Sequence, residues 1–120
     1  MAETNLCSSA PVFAAPDVGA TAKWYAEHLG FCAAFTPEEP PHAFAILSRD
    51  DVEVMLRRCF PPDRPQRDWD LYIRTRGVAA LYERLRERLP IAEPLRRPPY
   101  CAAEFSLDDP NGYRLVFGED

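Results

Sequence analysis

Asp17-Val-Gly-Ala-Thr-Ala-Lys-Trp-Tyr-Ala-Glu-His-Leu-Gly-Phe31 is the stretch whose reading decides the fold. Val18, Ala22, Tyr25 and Leu29 recur at helical spacing and form one apolar stripe. Asp17 is a residue type that caps a helix start and Gly30 one that stops it, so the pattern predicts a helix over 18–29 and a strand over 31–35. Sixty positions later, Val78, Leu85, Leu89 and Ile91 repeat the spacing of Val18, Tyr25, Leu29 and Phe31. The turn Arg49-Asp50-Asp51 is likewise echoed, at an offset of 61, by the turn that begins at Asp109-Pro110. Two copies of one module imply that the copies pack together or against a partner's copy. A cleft between two such sheets is a natural ligand site.

Outward from that stretch, 11–15 reads as a strand, and 43–48 with 52–57 as a hairpin around Arg49-Asp50-Asp51. The second copy predicts a strand over 70–75, a helix over 78–89 ended by Pro90, a weak strand over 91–96, and a hairpin of 102–107 with 113–117. The order is β-α-β-β-β twice. The expected fold class is α+β, two βαβββ modules forming curved mixed sheets. A single domain is expected over 10–120, with modules at about 10–59 and 69–118, a linker over 60–68, and a loose tail over 1–9.

Bulk properties narrow the function classes. The 120 residues are 47% hydrophobic and 28% charged, enough for one core. A net charge of −5 argues against a phosphate-binding surface, so no nucleic-acid partner is expected. No 18-residue apolar run occurs, and residues 1–9 lack the apolar core of a secretory leader, so a cytoplasmic protein without a membrane partner is expected. Cys7, Cys32, Cys59 and Cys101 form no CxxC pair and are read as reduced thiols.

The run Pro11-Val-Phe-Ala-Ala-Pro-Asp-Val18, then Trp24-Tyr25 and Leu29-Gly30-Phe31, resembles the opening of the vicinal oxygen chelate superfamily. The segment from Glu104 to Phe117 resembles its closing hairpin. That superfamily includes glyoxalase I, extradiol dioxygenases and the antibiotic-sequestering bleomycin resistance proteins. The stretches 44–52 and 76–85 are similar to the bleomycin resistance branch.

The resemblance implies four inward positions that hold a divalent metal in the enzymes. They fall here on Ala10, Met55, Asp70 and Val116, with Glu53 two residues from Met55. Alanine and valine cannot ligate, and a thioether suits hard dications poorly, so neither metal nor cofactor is expected. Neither His28 nor His42 has a carboxylate at a spacing that suggests an acid–base pair.

Alternation assigns the cleft-facing side chains. With Val54 and Leu56 packed on a helix, Glu53, Met55 and Arg57 face inward. By the same argument Asp70, Tyr72 and Arg74 face inward, as do Arg114 and Val116. The charged members either pair with one another or meet a ligand. The resemblance further implies an aromatic clamp in a cleft at a homodimer interface. Its positions map onto Phe35, Phe44 and Tyr72, with Cys101 where the family has a tryptophan and Tyr100 beside it. It also implies an acidic loop, Glu38-Glu39, and Trp69 is expected near the cleft mouth. The function expected from these residues is sequestration of an aromatic or cationic small molecule, such as a bleomycin-like antibiotic. The alternative is a metal-dependent lyase, isomerase or oxygenase.

Overall fold

A computed structural model describes residues 3–63 and 68–120. The chain runs β1 (Val12–Ala15), α1 (Val18–Leu29), β2 (Cys32–Thr36), β3 (Phe44–Arg49), β4 (Val52–Arg58), β5 (Leu71–Arg74), α2 (Val78–Leu85), β6 (Glu93–Arg96), β7 (Ala103–Asp108) and β8 (Arg114–Glu119). These form two four-stranded mixed sheets of equivalent order, β1-β4-β3-β2 and β5-β8-β7-β6, each carrying one helix. The expected α+β fold of two βαβββ modules is the fold observed. Residues 64–67, in the expected linker, and residues 1–2 of the expected tail lie outside the described residues. Among the described residues, no helix is long and apolar enough to cross a membrane.

Local chemistry accounts for both helices. The Asp17 carboxylate accepts from the Ala20 N–H at 3.0 Å, and Gly30 closes α1 in the left-handed conformation at φ 71°. The buried stripe of α1 is Val18, Thr21, Ala22, Tyr25 and Leu29. Helix α2 begins after Gly77, which has no capping side chain of its own. The Glu119 carboxylate, from the end of β8, instead accepts from the Gly77 and Val78 N–H groups at 3.1 and 3.0 Å. The expected extension of α2 to Leu89 does not form. Pro90 disfavours helical geometry in the residue before it, and the chain unwinds through a turn after Leu85 while Leu89 still packs on the core. The sixth strand starts at Glu93 rather than Ile91 and pairs irregularly with β7.

The helix-facing sides of both sheets are buried: Phe13, Ala45, Leu47, Val54 and Leu56 under α1, and Ile73, Phe105, Leu107, Leu115 and Phe117 under α2. The halves are joined where the β7–β8 turn meets β1 and α1. There the Tyr113 ring stacks on Phe13 at 4.2 Å, and its hydroxyl accepts from the Ala14 N–H at 2.9 Å. The Tyr25 hydroxyl donates to the Asp109 carboxylate at 2.7 Å, and the Asn111 amide to the Thr21 hydroxyl at 2.9 Å.

Candidate functional site

Among the described residues, no helix or strand covers the other face of either sheet, and strand register sorts that face into rows. On the second sheet one row runs Tyr72–Val116–Ser106–Glu93 and the next runs Arg74–Gly118–Glu104–Arg96. Asp108 pairs with Arg114 in a third, where the Asp70 carboxylate accepts from the Arg114 backbone N–H at 2.7 Å. On the first sheet the central row is Val12–Met55–Ile46–Ala34, wholly apolar. Ala14, Arg57 and Phe44 lie beside it on one flank, and Glu53 and Ser48 on the other.

The second face is a polar network roofed by aromatic rings. Glu104 is only 1% exposed, so its charge must be matched. Arg96 Nη2 donates to its Oε1 at 2.6 Å, the Tyr100 hydroxyl donates to the same oxygen, and the Cys101 thiol approaches the other at 3.8 Å. Glu93 Oε1 accepts from the Ser106 hydroxyl at 2.7 Å and from the Trp69 indole N–H at 3.1 Å. The Ser106 bond, then the indole bond and nearby guanidinium charge, hold the Glu93 carboxyl below the usual carboxylate range. Arg114 pairs with Asp108 at 3.0 Å, which raises its pKa further. The Tyr72 ring leans on Trp69 at 5.8 Å, with the Arg74 guanidinium 5.9 Å from its centre. Burial, then a bond to the Cys101 thiol and the charge of Glu104, push the Tyr72 hydroxyl up to about 12. Gly118 admits that hydroxyl against the backbone, because any Cβ there would overlap it.

The expected site residues therefore divide. Trp69, Asp70, Tyr72, Arg74, Tyr100, Cys101 and Arg114 gather on or around the open face of the second sheet. Phe44, Glu53, Met55 and Arg57 lie on the open face of the first. Phe35 does neither. It pairs in register with Ala45, so it shares the side that packs on α1, and its ring stacks on His42 at 4.0 Å. His42, bonded to the Pro37 carbonyl at 2.9 Å, reaches Gly19 at the start of α1 and holds the Glu38-Glu39 loop there. No contact joins Glu38 or Glu39 to the Tyr72 face among the described residues. The option of ion pairing among Glu53, Arg57 and Arg74 is also not realised among the described residues; Arg114 and Asp70 meet through a backbone amide instead. Glu93, Arg96, Glu104, Ser106 and Asp108 were missed. Alternation along β7, with Ala103, Phe105 and Leu107 buried under α2, is the signal that places Glu104, Ser106 and Asp108 on the open face.

The donor set does not fit a superfamily-type metal. Among the described residues, no three His, Cys, Asp or Glu side chains come together in a group able to hold a metal ion. Met55 and Val116 occupy central rows of the two faces with no oxygen or nitrogen to offer, and Asp70 is engaged by a backbone amide.

Residues 10–117 match the family model of the Glyoxalase/Bleomycin resistance protein/Dioxygenase superfamily. The chain belongs to that superfamily. No curated protein matches the sequence. Among solved structures, the glyoxalase-related enzyme from Clostridium phytofermentans superposes with a TM-score of 0.80 at 18% identity, covering 98% of this chain and 97% of that one. TioX from Micromonospora sp. ML1 gives 0.77 at 19%, covering 94% and 98%. The bleomycin-binding protein from bleomycin-producing Streptomyces verticillus, solved with copper(II)-bleomycin, gives 0.73 at 21%, covering 98% and 99%. At these identities the likeness is one of fold, and a bleomycin-binding protein and a glyoxalase-related enzyme share it.

Proposed function

We propose that this superfamily member is a binding protein that sequesters an aromatic or cationic small molecule, without chemistry, on the open face of its second sheet. The observation that carries the reading is the Trp69–Tyr72 ring pair beside a bed of carboxylates, with Trp69 40% and Tyr100 59% exposed. Exposed rings offer a planar group or a cation a surface to stack on, and the Glu93 carboxylate, bonded to the Trp69 indole, adds negative charge beside them, while Glu104 is matched by Arg96. The unsuited donor set removes the usual support for a metal-dependent lyase or oxygenase. The similarity in fold to a bleomycin-binding protein suggests a bleomycin-class glycopeptide as the first ligand to try.

The cleft needs a second wall, and the proposal assigns it to a second copy of the chain. The apolar row Val12–Met55–Ile46–Ala34 of one copy faces the polar, aromatic face of the other, and two-fold symmetry gives two equivalent clefts. The radius of gyration, 15.5 Å, exceeds the about 13.6 Å of a compact chain of this length, partly because residues 3–9 run exposed. The expected Phe44 and Met55 contacts then come from the partner's wall.

The test is a titration of bleomycin and a panel of aromatic cations, followed by tryptophan fluorescence. Micromolar binding is expected, with Tyr72→Ala about tenfold weaker because one stacking or cation–π contact is worth about 0.5–2 kcal/mol. Absence of submillimolar binding across the panel, or binding indifferent to Tyr72→Ala, overturns the proposal.

A further inference from the structure

The internal repeat exposes a second cavity, on the helix side and away from the open sheet faces. In the first half, Tyr113 from the β7–β8 turn stacks on Phe13 and closes the space between that turn and α1. The equivalent space in the second half lies between the β3–β4 turn and α2. There Val52 stands for Tyr113 and Ile73 for Phe13, while Leu81 and Asp50 stand for the bonded pair Thr21 and Asn111. Val52 and Ile73 are smaller than the two stacked rings they stand for, and a groove of about 670 Å³ remains. Its floor is apolar and largely buried, formed by Phe31, Ile73, Leu81 and Phe117. Arg49, Arg74, Arg76 and Arg84 line it.

The charge of this groove runs against that of the chain. Four guanidiniums face two carboxylates, Asp50 and Asp51, in a protein of net charge −5. Arg49 is committed, to Asp50 at 3.6 Å and to the Leu29 carbonyl at 2.7 Å. Among the described residues, Arg74, Arg76 and Arg84 have no carboxylate within ion-pair distance; Arg76 and Arg84 lie beside α2, and Arg74 reaches the groove from the edge of β5. At the start of α2, Glu119 occupies the amides of Gly77 and Val78. Recognition there falls to the guanidiniums, whose forked donors suit carboxylate and phosphate oxygens. Buried apolar floor and cationic wall together select a ligand with both features.

We propose that this groove is a second binding site, for a small amphipathic anion: a carboxylate or phosphate ester with an apolar body. The anionic head lies against Arg76 and Arg84 and the body on Ile73, Leu81 and Phe117. The site is independent of the aromatic face, and Arg74, at its edge, is the one residue that also stands near Tyr72.

The probes are 1-naphthyl phosphate and 1-naphthoate, with 1-naphthylmethylammonium and inorganic phosphate as controls, followed by amide chemical shifts on the full chain. Both anions are expected to shift Gly77, Ala80, Arg84 and the 49–52 turn, and the cation is not. The double variant Arg76→Ala/Arg84→Ala is expected to weaken both anions at least about tenfold, since it removes two charge-assisted donors. Val52→Tyr is expected to abolish binding by filling the groove as Tyr113 fills its counterpart. Shifts confined to the Tyr72 face, equal binding of the cation, inorganic phosphate binding as tightly as the naphthyl ester, or affinity unchanged in the arginine double variant would each overturn the proposal.

Discussion

Tyr25 shows how much one hydroxyl carries in a small domain. It is fully buried on α1, and its hydroxyl reaches across the seam to Asp109, whose other oxygen accepts from the Asn111 and Tyr113 amides. Burial raises the Asp109 pKa, while the Tyr25 bond and the two amides oppose that rise. A carboxyl raised above its unfolded value favours folding below that value, and the contribution is lost as pH climbs through the folded pKa. Tyr25→Phe removes one opposing bond, so the Asp109 pKa rises further and its ionised form stays buried with one oxygen unmatched. The variant should lose about 1–3 kcal/mol near neutral pH, the cost of a buried unsatisfied acceptor, and less near pH 3, where Asp109 is protonated. Urea unfolding at both pH values measures this. An equal loss at both would remove Asp109 as its cause.

At the scale of elements, the second sheet works through register: Tyr72 lies over Gly118 because the parallel β5–β8 pairing brings them close and glycine offers no Cβ. Gly118→Ala should expel the ring. The colliding atoms belong to a side-chain tip, so the sheet should survive, but the Trp69–Tyr72 pair should not. Affinity for an aromatic cation should therefore fall about as far as in Tyr72→Ala, roughly tenfold, with a cooperative melt retained. Titration paired with thermal unfolding separates loss of the ring from loss of the fold. The elements themselves were legible in the sequence. The Asp17 cap, the Gly30 stop and the stripe between them fixed α1 to the residue, because those signals are local. The end of α2 was less legible, since the turn after Leu85 reflects competition between packing of Leu89 and the restraint of Pro90. Of the site, the alternation of β4, β5 and β8 was readable, and the same rule on β7 yields Glu104 and Ser106. Phe35 could not be placed from sequence, because its face depends on where β2 starts and on pairing with β3. The groove beside α2 was invisible until the repeat could be compared in space.

At the scale of the whole molecule, the two open faces differ in kind, and that difference constrains assembly. The first offers an apolar row in which Val12 is 53% and Ile46 36% exposed, and the second offers charge and rings. A monomer would leave the apolar row in water, whereas covering it gains about 25 cal/mol for each Å² removed. Facing first sheet to second across a two-fold axis covers both rows at once and bounds a cleft on two sides. The protein should therefore run at twice its 13.6 kDa in light scattering at micromolar concentration. Ile46→Glu places a carboxylate in the middle of the apolar row, where burial against a face that already holds Glu93 and Glu104 would cost several kcal/mol. Because Ile46 points away from α1, the variant should remain folded, with an unchanged circular dichroism spectrum, yet scatter as a 13.6 kDa species. Its affinity for the aromatic cation should fall together with its mass, since one wall of the cleft has left. A variant that dissociates but binds as tightly as the parent would locate the whole site on the Trp69–Tyr72 face of a single chain, and wild-type protein that scatters as a monomer would refute the shared cleft.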